Sequence, residues 1–297
     1  MHRMVSRYLR YRLGWHKRMP LPPGGVLLDN PALAILELLN SPFPTLIGRI
    51  GGVECEAISQ FIGLGRTFRK QVHRLQKNAG FYCSDESDLA RFVDVNLEAI
   101  SSCDLLAYWD CAGQYELVSS YGSEAEYCSL RCLEPFWPGQ DWLSPLSGKR
   151  VCVVSPFGGT MSKQVMKIAS IHPSLSLENH TFSFVNAPMT NGGYEVARGD
   201  PSWFDRLTIM AEDVKAKAPD VVLIGAGAYG LPLGSILKNA GFSSVVCGGA
   251  LQLYFGIRGA RWDQREDYKA IFNQSWTRAS SLETPVGSGT VENGCYW

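Results

Sequence analysis

Twice in the second half of the chain a continuous apolar run stops at a glycine-rich turn and resumes with helical spacing. Arg150-VCVVS is followed by PFGGT and MSKQVMKIAS, and APDVVLIG is followed by AGAYG and LPLGSILKNAG, where Gly241 stops the helix. A third run, Ser243-SVVCGG, comes after them. Strands that are apolar at successive positions are buried on both faces, and strands alternating with helices at this spacing pair in parallel. The expected fold is therefore α/β and Rossmann-like, a mostly parallel sheet with helices on both faces.

The first half is patterned more weakly. Asn30-Pro31 before ALAILELL is a capped helix start, and residues 45–50 suggest a short strand. Residues 86–100 place Leu89, Phe92, Val93, Leu97 and Ile100 on one helical face, and residues 103–109 look like a strand. The stretch 135–149, rich in Trp, Pro, Gly and Ser, reads as a crossing loop between two halves. The expected organisation is a basic arm and linker over 1–24 and one domain over 25–297. Within that domain a Pro/Gly/Ser linker at 284–290 leads to a tail, 284–297 in all, that docks back through Tyr296 and Trp297.

Charge narrows the function classes. With 28 basic and 28 acidic residues the chain has no net charge and so no global footprint for nucleic acid. Only the beginning is biased: Arg3, Arg7, Arg10, Arg12, Lys17 and Arg18 precede the first acid, Asp29, and alternate with Val5, Tyr8, Leu9, Leu13 and Trp15. Such a pattern suits either an interfacial helix on an anionic membrane or a solvated arm. No apolar run approaches the roughly 20 residues that span a bilayer. The expectation is a cytoplasmic protein, with residues 1–20 as the candidate peripheral contact with the membrane's inner face. Nine scattered cysteines without CxxC spacing read as core thiols, and His73, His172 and His180 show no metal-ligand spacing.

Three turns could carry chemistry. Gly225-Ala-Gly227-Ala-Tyr229-Gly230 fits GxGxxG between a strand and a helix, where backbone N–H groups favour a diphosphate. The acid that would hold the ribose of a dinucleotide about 20 residues later is missing from residues 245–250, which disfavours NAD. Residues 155–160, followed by Ser162 and Lys163, form a second candidate anion seat or a plain helix cap. Arg49 and Glu54 face each other across Gly51 and Gly52: a planar fork for phosphate, and a carboxylate for sugar hydroxyls, a metal or an acceptor proton. Further acids at strand ends or loops are Asp110, the second choice for a base, and Asp263. Tyr229 and Trp262 are the aromatic candidates for stacking, and Arg258 is a further candidate cation for phosphate.

These residues resemble the GT-D-fold glycosyltransferases, bacterial enzymes with an Arg-x-Gly-Asp-x-Glu signature. Arg49, Gly51 and Glu54 match, and Gly52 stands at the aspartate. The likeness extends to Asn78-Ala-Gly-Phe81, LIGAGAYGLPL, the segment 248–257 and Glu292-Asn-Gly-Cys-Tyr-Trp297. It implies a nucleotide-sugar donor held by Arg49, Gly51, Gly52, Asn78, Gly225, Gly227, Tyr229, Gly230 and Glu292. It further implies a hexosyltransferase-type enzyme with a glycan or lipid-linked acceptor, in surface polysaccharide biosynthesis. In that family the DxE pair serves Mn2+ or Mg2+, but here Glu54 is the only carboxylate of the pair. A metal-free site would rely on Arg49, the 225–230 turn, Lys163 and Arg258; Glu56 replaces the aspartate only if the turn stays extended. A noncatalytic nucleotide-binding or regulatory protein of the same fold is the alternative, and an NAD-dependent oxidoreductase comes third.

Overall fold

The computed structural model describes residues 21–22 and 25–297 except Ser84, Ser123, Glu178, Gly193, Val196 and Arg198. The basic arm and its expected membrane contact lie outside the described residues. Seven strands form one sheet: β1 (Leu46–Gly48), β2 (Leu105–Tyr108), β3 (Glu126–Ser129), β4 (Arg150–Ser155), β5 (Thr181–Asn186), β6 (Val221–Ile224) and β7 (Ser244–Val246). Every pair is parallel, in the order β3-β2-β1-β7-β6-β4-β5.

Alternate strand residues feed two apolar layers, as the two-residue period of a strand requires. Leu46, Leu106, Val154, Val222, Ile224 and Val246 face α2 (Gly52–Leu64), α3 (Glu86–Ser101), α4 (Gln114–Tyr121), α6 (Trp203–Ala216) and α7 (Gly230–Asn239). Ile47, Leu105, Val153, Leu223 and Val245 face α1 (Pro31–Leu39), α5 (Gly158–Gln164) and the segment carrying Leu253, Tyr254 and Trp262. Emptying one such position, as in Leu223→Ala, costs about 2–5 kcal/mol. Helix starts follow local chemistry: the Asn30 side chain accepts from Leu33 N, and Ser202 with Asp205 forms a capping box on α6.

The half 3-2-1 has the doubly wound order, but the other half runs 7-6-4-5 instead of 4-5-6, because the connection through 135–149 carries the chain across the sheet to β4. The expected strand at 45–50 is shorter, since a helix already begins at Gly52. The two halves meet where β1 lies beside β7, with residues 49–51 and 247–250 leaving side by side. Open α/β sheets bind ligands beyond the carboxyl ends of their strands at such a point. A small parallel pair, β8 (Ile257–Arg258) and β9 (Thr277–Arg278), starts a strap that returns over those ends.

Candidate functional site

A cavity opens where the chain leaves β1, β2, β4, β5, β6 and β7. Counted with the solvent it opens to, its empty space is ≈ 1170 Å³, and strand-end crevices of α/β sheets are where small-molecule sites form. Arg49, Gly51, Gly52, Glu54, Asn78, Gly225, Gly227, Tyr229 and Glu292, all expected from sequence, line it.

Beyond β1, Gly51 is the N-cap of α2 and offers no capping side chain. Glu54, on the first turn, is 8% exposed, and its carboxylate folds over Gly51 where any Cβ would overlap it. Burial pushes the Glu54 carboxyl above its ordinary value; its own backbone N–H and Arg49 pull it down less strongly, and Glu292 pushes it up further. The Arg49 guanidinium lies 5.4 Å from the Trp109 ring centre. It also passes Gly248, whose Cβ would come within 2.5 Å of it. Trp109 Nε1 donates to Ile50 O at 3.2 Å, tying the end of β2 to the β1 turn.

The GxGxxG turn packs against another loop as well as facing the cavity. Gly227 is left-handed, φ 56, and a Cβ there would sit 2.6 Å from Ala79 O. Ala79 ends a π-turn, Leu75–Ala79, that carries Asn78; such turns are rare and recur at functional sites. The Tyr229 ring is buried, stacked on Trp203 at 4.6 Å, so it supports the turn instead of offering a stacking face. Gly230 turns toward Val246 and is not part of the lining.

The strap supplies the far wall. Val291 is fully buried, and Glu292, Asn293 and Gly294 follow with φ 45, 60 and 74. Left-handed backbone costs a non-glycine residue roughly 1–2 kcal/mol, so this turn persists because its neighbours hold it. Glu292 is ion-paired with Arg261, whose guanidinium also lies 3.3 Å from Cys295 Sγ and 4.9 Å from the Tyr296 ring centre. Trp297 Nε1 donates to Glu283 O at 2.8 Å and its ring meets Phe157 edge-on. Residues 284–290, expected as a linker, instead make turns against Gly192. Arg261 and the 187–191 loop escaped sequence reading, because they enter the cavity through contacts between distant segments; Tyr296 belongs to the tail expected to dock back.

Other expected residues lie elsewhere. Asp110 is exposed, left-handed at φ 51, and outside the lining. Because the turn becomes helical, Glu56 diverges from Glu54 and receives Gln71 Nε2 and Arg74. Asp263 is paired with Arg258 and Arg278, Trp262 is buried, and Lys163 is outside the lining. The 155–160 turn is already filled: Glu283 accepts from Thr160 N at 3.0 Å and from Thr160 Oγ1, at the start of α5. His172 and His180 bond Leu253 O and Leu143 O.

Among the described residues no three His, Cys, Asp or Glu side chains form a metal cage; the cavity carboxylates Glu54 and Glu292 lie beside Arg49 and Arg261 respectively. No described helix is long and apolar enough to cross a membrane.

No protein-family model and no curated protein matches the chain. Among solved structures it is similar to a glycosyltransferase (domain of unknown function 1792) from Streptococcus sanguinis, at 13% identity and TM-score 0.48, over 87% of this chain and 96% of that one. A second, described as domain of unknown function 1792 with a distinct glycosyltransferase fold, has 13% identity and TM-score 0.46, covering 85% and 91%.

Proposed function

We propose that the cavity binds a nucleotide-sugar and transfers its sugar to an acceptor hydroxyl without a metal ion. One observation carries the reading: Arg49 and Arg261 reach the same strand-end cavity from distant segments, beside the open 225–229 turn, with a buried carboxylate, Glu54, between turn and helix. Their proximity registers on Tyr296, whose phenol is raised by burial and lowered by both Arg261 and Arg49. Paired guanidiniums and a glycine turn suit a diphosphate. The resemblance of residues 49–54 to the Arg-x-Gly-Asp-x-Glu signature points the same way.

In the reaction the bond from the anomeric carbon to the diphosphate oxygen breaks, and a bond to the acceptor oxygen forms. Arg49 and Arg261 stabilise the charge that develops on the leaving diphosphate, the role an ion would otherwise take. Glu54 takes the acceptor proton, and its raised pKa makes it a better base than an ordinary carboxylate. The Gly51-Gly52 backbone, Asn78, Gly225, the Gly227 amide and Glu292 surround the nucleotide and sugar, while the Gly225 N–H stays on Val154 O. A glycan or lipid-linked acceptor of surface polysaccharide synthesis at the cytoplasmic face completes the proposal.

The test is a thermal-shift panel of nucleoside diphosphates and nucleotide-sugars, each with manganese and with EDTA, followed by nucleotide release in the presence of acceptor. A ligand at 100 times its Kd stabilises by about 2.7 kcal/mol. A shift that survives EDTA supports the reading; no shift with any member of the panel ends it. Gly52 in place of an acid favours a second reading, nucleotide binding without turnover, which predicts the shift and no release.

A further inference from the structure

From Ala57 to Ser84 the chain holds no Asp or Glu but carries Arg66, Arg69, Lys70, Arg74 and Lys77. The middle of this stretch, residues 62–70, is exposed at every position but Thr67. Helix α2 leaves the cavity at Gly52 and ends at Leu64, about 20 Å away at 1.5 Å per residue. Gly65, left-handed at φ 66, reverses the chain, and Arg69–Arg74 with the π-turn leads back to the cavity at Asn78. Thr67 Oγ1 on Ala57 O and Arg74 and Gln71 on Glu56 clamp the two limbs. At the tip Ile62, Leu64 and Phe68 are 43%, 58% and 48% exposed. Among the described residues none of Arg66, Arg69 and Lys70 joins an ion pair.

We propose that this tip, residues 62–70, inserts into the interface of an anionic lipid bilayer, with Leu64 and Phe68 among the acyl chains and Arg66, Arg69 and Lys70 on the headgroups. Three exposed apolar side chains interleaved along 62–70 with three cations and no acid match that surface on both counts: apolar burial and charge. A second copy of the tip repels the first, since their charges are alike. The basic arm at 1–20 is no better as a cover, for it too lacks acids. Aliphatic Ile62 and Leu64 add nothing to nucleic-acid binding, which uses aromatics and cations. The inference is independent of sugar transfer, and a cavity without turnover leaves it standing.

The experiment is flotation of the full chain with vesicles of 40% phosphatidylglycerol in phosphatidylcholine, against pure phosphatidylcholine, at low and high salt. Leu64→Ser with Phe68→Ser, and separately Arg66→Gln with Arg69→Gln and Lys70→Gln, should each lower partitioning at least tenfold. Deleting residues 1–20 should leave the tip-dependent part. In a Leu64→Trp variant, indole emission should shift blue on anionic vesicles only, a readout on a folded chain that needs no disruptive change. Partitioning unaltered by both sets of substitutions, loss of all binding with residues 1–20, or no emission shift overturns the proposal. So does a tip that proves to be a self-association surface, with the serine variant changing only the oligomeric state.

Discussion

The turns after β4 and β6 start from the same local physics and end differently. Each follows a buried parallel strand, carries glycines where the chain turns into a helix, and opens that helix without a capping side chain. Beyond β4, the start of α5 receives the Glu283 carboxylate from 123 positions away. Beyond β6, residues 225–229 face open space beside Arg49. A glycine turn ahead of a helix thus makes a seat for an anion, and the rest of the chain decides whether the seat is a site or is filled from within. The predictions below set the open seat against the filled one.

The largest contrast should appear in turnover. Glu54→Gln keeps the shape over Gly51 but removes the base, so nucleotide release with acceptor should fall about 10²–10⁴-fold with no fall in melting temperature. Glu283→Gln, at the filled seat, should stay within about twofold of wild type. Equal losses in the two variants would mean that Glu54 is only a structural partner of Arg49.

Affinity comes next. Arg49→Ala and Arg261→Ala should each weaken binding of a nucleoside diphosphate by about 1.5–3 kcal/mol, the worth of a charged hydrogen bond, read by titration calorimetry. Lys163→Ala and Arg258→Ala, whose side chains lie outside the cavity, should not. Gly227→Val is a poorer probe, because its side chain would strike Ala79 O and shift the π-turn. Truncation at 290 is compromised too, since Val291 and Cys295 are core residues. An Arg261→Ala variant with wild-type affinity would remove the far wall from the site.

What the sequence allowed one to see divides along the same line. Strands β4, β6 and β7 and the glycine turns were legible because burial on both faces leaves uninterrupted apolar runs. Helix α2 was not: it starts at a glycine pair without a cap, and its exposed Ile62 and Leu64 blur the apolar period. Within the site, Arg49, Glu54, Gly225 and Gly227 could be picked out by local motif, and Asn78 and Glu292 only through the family resemblance. Arg261 could not, for its role comes from Glu292, Cys295 and Tyr296, more than 30 positions later. The filled state of the β4 turn was equally invisible, since Glu283 shows nothing locally of Thr160. Asp110 illustrates the opposite failure: a strand-end acid whose left-handed backbone sets it outside the lining.

The smallest effect, and the sharpest in sign, is on stability against pH. Glu283 is pushed up by burial, but donation from Thr160 and Ser280 outweighs this and holds it below its ordinary value of 4.5. Its contribution is therefore present above about pH 4.5 and lost as pH falls through the lower folded value. Glu54 is raised, so the folded state holds its proton more tightly than the unfolded chain. Stability from that proton is present below pH 4.5 and lost as pH rises through the raised value. Urea unfolding from pH 3 to 8 should show Glu54→Gln gaining on wild type as pH rises, and Glu283→Ala trailing wild type by a gap that closes in acid. Above pH 5 that gap should be about 0.5–2 kcal/mol, the usual cost of a lost helix cap, toward the lower end because the carboxylate is partly exposed. Emptying the seat should also make it available: millimolar sulfate should raise the melting temperature of Glu283→Ala more than that of wild type. A variant indifferent to sulfate would show that the β4 turn is shaped for Glu283 alone, and that the likeness between the two turns ends at their sequences.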